Sequence, residues 1–323
     1  MVVTAPGPGS GKMAVCLSQL YHESKRGVSA GYAKYETFPI WNLPLKHSVN
    51  LAYEAATADL ADVNMIDPFH LEAYGVSTVN YNRDVEIFPV LEAIFRKIYG
   101  ECPYKSPTDM GVNMLASAIV DEEVCREASI QEIIRRYFAS ACAVRKGLAE
   151  PAELRKQEML LSSMHLDVTM RPTVPAAREK AEQTGEPAVA IELPDGRIVT
   201  GKTSELMGAS CAALLNALKL LAGIPDCVDL ISASVIEPIT HLKVEHLGNL
   251  NPRLHTDEML IALSMSANQS PVAERAMEHL SGLRGSEVHS SVILSVVDET
   301  VFKMLGMNVT FDPIYQNQTL YHK

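Results

Sequence analysis

Glycines at positions 7, 9 and 11, followed at once by Lys12, put three permissive backbone positions and one ammonium into six residues. Each glycine can take positive φ, so consecutive N–H groups can turn toward one point beside the lysine charge. Polyphosphate binding is the chemistry that uses such a turn. Gly7, Gly9, Ser10, Gly11 and Lys12 are therefore the expected cofactor-binding residues, and Arg83 is expected to finish the site with forked donors. In the phosphate-loop spelling of Gly, four residues, Gly-Lys and Ser/Thr, the first glycine falls on Pro6 and the closing hydroxyl on Met13. A thioether does not replace the hydroxyl that holds Mg²⁺. A nucleoside triphosphate suits the turn, whereas Mg²⁺ needs another oxygen ligand or is absent, and the cofactor stays open.

Asp67, His70 and Asp84 are the expected catalytic residues. Asp67 closes an apolar run before Pro68, where a carboxylate can bind metal or orient a nucleophile, or can simply cap a turn. His70, between aromatic residues, reads as a general base or as a satisfied half-buried histidine. Asn80, Asn82, Arg83, Asp84 and Glu86 gather at a helix start, where Arg83 either clamps an anion or makes a surface ion pair. Lys105-Ser106-Pro107-Thr108-Asp109 repeats the theme at the next helix start. Lys12 and Arg83 are expected to serve one anion, with at least one of Asp67, His70 and Asp84 close by.

Gly196 to Thr203 matches the phosphate-loop spelling at every position. Ala188 to Leu193 and Arg197 to Thr200, however, are β-prone runs flanking Pro194-Asp195-Gly196, which predicts a hairpin. The helix expected to follow, from Ser204 through Leu221, can still receive an anion at its amino end beside Lys202. Ser210 and Cys211 within it read as small residues for close packing. His241, His246, His255, His279 and His289 have no metal-ligand spacing and read as structural or surface residues. No Gly-x-Ser-x-Gly elbow is present.

These residues must be positioned by an α/β fold: a phosphate-loop-like strand-turn-helix segment at 1–81, a helical domain at 82–170, and a C-terminal α/β domain with a β-hairpin at 171–323. The first strand is expected at Val2 to Ala5, a helix over Ser10 to Arg26, and a second strand over Val28 to Phe38. Helices are expected over Val85 to Tyr99, Met110 to Ile119, Glu122 to Lys146 and Pro151 to Met164. At 323 residues, 47% hydrophobic and 21% charged, the chain has the composition of a globular protein of two or three domains. A net charge of −11 without a dense basic stripe argues against general binding to nucleic acid or anionic membrane. Six scattered cysteines suggest neither a zinc ribbon nor a disulfide framework. No apolar run reaches the length of a membrane span and no secretory pattern opens the chain, so the expected compartment is the cytoplasm.

The strings Val3-Thr4-Ala5-Pro6-Gly7-Pro8-Gly9-Ser10-Gly11-Lys12-Met13-Ala14, Tyr35-Glu36-Thr37-Phe38-Pro39-Ile40-Trp41-Asn42-Leu43-Pro44, Asp67-Pro68-Phe69-His70-Leu71-Glu72-Ala73-Tyr74-Gly75 and Val79-Asn80-Tyr81-Asn82-Arg83-Asp84-Val85-Glu86 resemble those of the bacterial family catalogued as domain of unknown function 1846. The resemblance spans the whole chain. It implies that an α/β segment precedes this loop in family members, that the chain matches their C-terminal part, and that Met13 is the family's own choice. It implies no activity. Two functions stay open on the residues: an enzyme that binds a nucleotide or phosphorylated small molecule for phosphoryl or acyl transfer, and a non-catalytic anion sensor or homo-oligomeric assembly protein. A purely structural turn is the third reading. If one anion bridges Lys12 and Arg83, Lys12→Ala and Arg83→Ala each abolish a ligand-induced melting shift while the ligand-free melt stays nearly unchanged; retention of the shift in both variants refutes that site.

Overall fold

The computed structural model describes residues 1–7, 9–35, 39–60, 62–111 and 113–316. The chain forms two compact units, 1–133 and 134–323.

In the first unit, α1 (Lys12–Lys25) starts directly after the glycine turn, and Gly11 caps it in the left-handed region at φ 84°. Met13, Leu17 and Leu20 recur at helical spacing and pack with Phe88, Leu91, Phe95 and Met110. Met13 is thus a partly buried packing side chain, which accounts for a thioether where a phosphate loop has a hydroxyl. Then come α2 (Ser48–Ala56), β1 (Asn64–Ile66), α3 (Pro68–Tyr74), β2 (Val79–Tyr81) and α4 (Asn82–Tyr99). Strands β1 and β2 make a two-stranded antiparallel sheet with Met65 opposite Asn80. Helix α5 (Glu122–Arg145) passes from this unit into the next.

Three expectations need correcting here. Residues 2–5 form no strand, because no neighbouring strand among the described residues pairs with them, and Val2 is 88% exposed. The strand-turn-helix of a phosphate loop is therefore reduced to a turn and a helix. The strand expected over 28–38 amounts to a single bridge from Lys34 to Gly111; residues 36–38 lie outside the described residues. In place of a helix over Met110 to Ile119 there are short 3-10 turns at Thr108–Met110 and Leu115–Ala118.

The second unit holds α6 (Pro151–Ser163), α7 (Thr173–Thr184), the hairpin β3 (Ala188–Glu192) and β4 (Ile198–Lys202), and α8 (Ala209–Ala222). It continues with α9 (Ala233–His241), α10 (Thr256–Ala267), α11 (Pro271–Glu278), β5 (Glu287–Ser290), α12 (Val296–Met304) and β6 (Asn308–Phe311). Its sheet runs β4-β3-β5-β6, with β3 antiparallel to both neighbours and β5 parallel to β6. It follows that β4, β5 and β6 all point the same way, and their carboxyl ends share one edge. Buried Val189, Ile191, Leu214, Leu218, Met259, Leu263, Val288 and Phe302 form the core.

The predicted hairpin is present, with Gly196 at φ 82° in its turn and Ala190 opposite Thr200. Helix α8 begins at Ala209, later than the expected Ser204, because 204–208 pairs instead with the strand-like stretch at Leu254. Gly201 explains the rest of the phosphate-loop spelling: a Cβ there would lie 2.1 Å from the backbone nitrogen of Ala213. The glycine lets α8 lie directly on the hairpin. Gly201→Ala is expected to destabilise the protein by about 3 kcal/mol in urea unfolding, the upper range for overpacking against backbone that cannot yield. A loss below about 0.5 kcal/mol would show that the helix shifts freely.

Candidate functional site

The structure satisfies the residues singled out in the first unit locally. Asp67 is fully buried: one carboxylate oxygen caps α3 through the N–H groups of Phe69 (3.0 Å) and His70 (3.1 Å), and the other accepts from the Thr108 N–H (3.2 Å) and hydroxyl (2.6 Å). His70 Nδ1 lies 2.9 Å from the Ser106 hydroxyl and 3.6 Å from Asp109, and its ring rests on Tyr74. Asp109 also accepts from the Tyr74 hydroxyl (2.9 Å) and the Lys105 N–H (2.8 Å). The stretch 105–109 is therefore joined to Asp67 and His70 as one knot. Asp84 pairs with Lys34 at 2.6 Å, and Arg83 pairs with buried Asp62. Lys12 turns back on its own loop, donating to the Gly7 carbonyl at 2.8 Å, and Ser10 donates to the same oxygen. Gly9 and Gly11 supply the positive φ that closes this turn.

The second unit offers a different place. At the shared carboxyl edge, Pro187 precedes β3, Thr203 follows β4, Val292 and Ser295 follow β5, and Gln316 follows β6; together with Gly208, Ser210, Arg253 and His255 they line a cavity of ≈ 50 Å³. At about 10–15 Å³ per water this holds a few waters, or one group the size of a tetrahedral oxyanion. Ligands of open α/β sheets bind at this edge because helix amino ends gather there. Helix α8 opens on the cavity at Gly208 with no side-chain cap, so the N–H groups of Ala209 and Ser210 have no acceptor in the helix. Two hydroxyls sit beside them. Ser210 is 2% exposed and Thr203 4%, and neither hydroxyl has a partner among the described residues. Arg253 donates Nε to the Ser204 carbonyl at 2.7 Å and has no carboxylate partner among the described residues.

The other two helices at the edge are capped. Ser295 accepts from the Asp298 N–H (3.1 Å) at the start of α12, and Asp298 accepts from the Thr256 N–H (2.9 Å) at the start of α10. His255 Nδ1 lies 3.2 Å from Asp298 and 3.3 Å from the Ser295 hydroxyl; Nε2 has the Asn251 amide at 3.4 Å. The hydrogen bond to Asp298 holds His255 above its ordinary value of 6.5 against the effect of burial. Burial alone would raise the Asp298 carboxyl, but His255, the Thr256 N–H and Ser295 bring it below 3.8. Cys211, buried beneath and donating to the Leu254 carbonyl, is pushed well above its ordinary value by desolvation, in keeping with a packing role. Among the described residues no group of three or more His, Cys, Asp or Glu side chains is placed to hold a metal ion.

His255, read as structural or surface, is held at the start of α10 beside Asp298, and Ser210, read as packing, is buried in the first turn of α8. A signal existed in Ser295-Val296-Val297-Asp298, a capping-box spelling, and in His255 three residues before Glu258, whose carboxylate accepts from the His255 N–H at 2.8 Å. The anion role considered for the helix after Lys202 falls on this same edge, with Ala209 in place of Ser204 as the first helical residue.

The family described as domain of unknown function DUF1846, N-terminal, matches residues 1–165, and its C-terminal counterpart matches residues 169–321. A UPF0371 protein of Streptococcus thermophilus (strain CNRZ 1066) and one of Streptococcus pneumoniae (strain JJA) are each 57% identical over 323 residues. The alignments take in 100% of this chain and 65% of each relative, so the chain spans about two thirds of their length. No helix among the described residues is long and apolar enough to cross a membrane.

The pair of His255 and Asp298 makes stability depend on pH. The raised histidine contributes fully below 6.5 and loses its contribution as pH rises through the folded value; the depressed carboxyl contributes above 3.8 and loses it as pH falls through its folded value. Asp298→Asn should therefore cost most between those values. In urea unfolding the difference from the unaltered chain is expected to narrow by about 1 kcal/mol from about pH 5.5 to about pH 8.5. A difference independent of pH would show that the pair is not coupled.

Proposed function

The chain belongs to the DUF1846 family, and we propose that it binds a phosphorylated small molecule at the carboxyl edge of its second sheet. One observation carries this reading: the uncapped amino end of α8 opens on a cavity lined by two buried residues, Thr203 and Ser210, whose hydroxyls have no partner among the described residues. A phosphoryl group would meet the two hydroxyls and the α8 N–H groups with its oxygens. Arg253 adds a guanidinium suited to a tetrahedral anion. The turn at Gly7 to Lys12 supports the reading less, since its lysine and serine are spent on the Gly7 carbonyl. Phosphoryl or acyl transfer in the cytoplasm extends the same proposal, and non-catalytic sensing by a homo-oligomer is its rival; turnover of the ligand separates them.

A thermal melt against inorganic phosphate, nucleotides and phosphorylated metabolites tests the site, because a ligand at 100 times its Kd adds about 2.7 kcal/mol. Arg253→Ala and Ser210→Ala should each weaken the shift, Arg253→Ala by about tenfold in affinity. Lys12→Ala should leave it intact. Loss of the shift in Lys12→Ala alone would move the anion to the N-terminal turn, and no shift with any phosphorylated compound would refute the reading.

A further inference from the structure

Resting on that reading, we propose that the cavity takes its oxyanion together with a proton on His255, so that it selects a dianionic tetrahedral group, such as a phosphomonoester, over a monoanion. The geometry behind this is the placement of the ring between two different neighbours. On one side, Asp298 Oδ2 lies 3.2 Å from Nδ1, with the Ser295 hydroxyl at 3.3 Å from the same nitrogen. Nε2, on the other side, has among the described residues only the Asn251 amide, at 3.4 Å, and both Asn251 and His255 line the cavity. A carboxylate on Nδ1 fixes a proton there, and a second proton on Nε2 turns the ring into a cationic donor at the cavity wall.

Among the described residues, the charged groups facing His255 come from three elements and the loop before α10. From α12 comes Asp298, which favours the cation. From α10 comes Glu258, whose charge is shared with Lys243 at 2.7 Å. Arg253 and the amino end of α8 are positive and disfavour it while the cavity holds no anion. Asp298 thus favours the proton on His255, and a second negative group on the cavity side would favour it further. A dianion supplies enough charge to meet α8, Arg253 and His255 together. A monoanion leaves one of them uncompensated.

Sulfate is the probe, since it keeps two negative charges throughout the titration range of histidine. The full chain is titrated with sulfate in a calorimeter at about pH 6 and about pH 8.5, each in two buffers of different ionisation heat. Above its free value His255 must collect a proton, so affinity is expected to fall by up to about tenfold per pH unit, with proton uptake at the higher pH. His255→Gln should keep measurable sulfate binding, weaker at the lower pH, and lose both the pH dependence and the uptake. Equal affinity at both pH values without uptake overturns the coupling and leaves the anion site standing. Uptake that persists in His255→Gln assigns the proton elsewhere and overturns the inference. Absence of sulfate binding at either pH, where phosphorylated compounds do raise the melt, overturns the inference alone; absence of both overturns the binding reading as well.

Discussion

The close approach of α8 to the hairpin at Gly201 is the contact on which the second unit depends. A glycine there brings the helix backbone against the strand, and Val199, Leu214 and Leu218 fill the interface around that contact. The helix axis is thereby set, and with it the position of Gly208 at the sheet edge. Any side chain at 201 would lift α8 and carry its amino end away from Thr203 and Arg253. Packing deep in the unit thus decides the geometry of a polar cavity at its rim.

The two edges of this sheet use charge in opposite ways. At the amino ends of β5 and β6, fully buried Arg171 is saturated: it pairs with Glu287 and donates to the Thr310 hydroxyl and to the carbonyls of Val288 and Asn308. A cation so completely matched has no capacity left for a ligand, and removing one partner would strand a buried charge. At the carboxyl ends, Arg253 and the α8 N–H groups are incompletely matched. Hydrogen-bonding capacity is used up at one edge and left over at the other.

How much of this was legible in the sequence follows from range. The hairpin was, because Pro194-Asp195-Gly196 and its flanking β-branched runs are local; so were α4, α5 and α6, whose helical patterns are long. Family membership was legible for another reason, the length of the shared strings. The site was not. Thr203, Ser210, Arg253, His255 and Asp298 are separated by up to 95 residues, and only the sheet order β4-β3-β5-β6 brings them to one edge. Asp67 was legible by half: its position before a proline marked a cap, which it is, while its second oxygen holds Thr108, forty-one residues on.

The two phosphate-loop spellings show why a motif is a statement about spacing and a site is a statement about unmet hydrogen bonds. At Gly7 to Lys12 the residues are right and the turn is built, yet the lysine ammonium and the serine hydroxyl both end on one carbonyl of the same loop. At Gly196 to Thr203 the spelling is complete, yet Gly196 serves a hairpin and Gly201 serves helix packing. What survives from the second spelling is its last residue. Thr203 closes β4 through its N–H on the Pro187 carbonyl and leaves its hydroxyl at the cavity. Among the described residues, the donors that neither strand nor helix has used gather where β4 ends and α8 has no cap, which is the place the proposed anion would take.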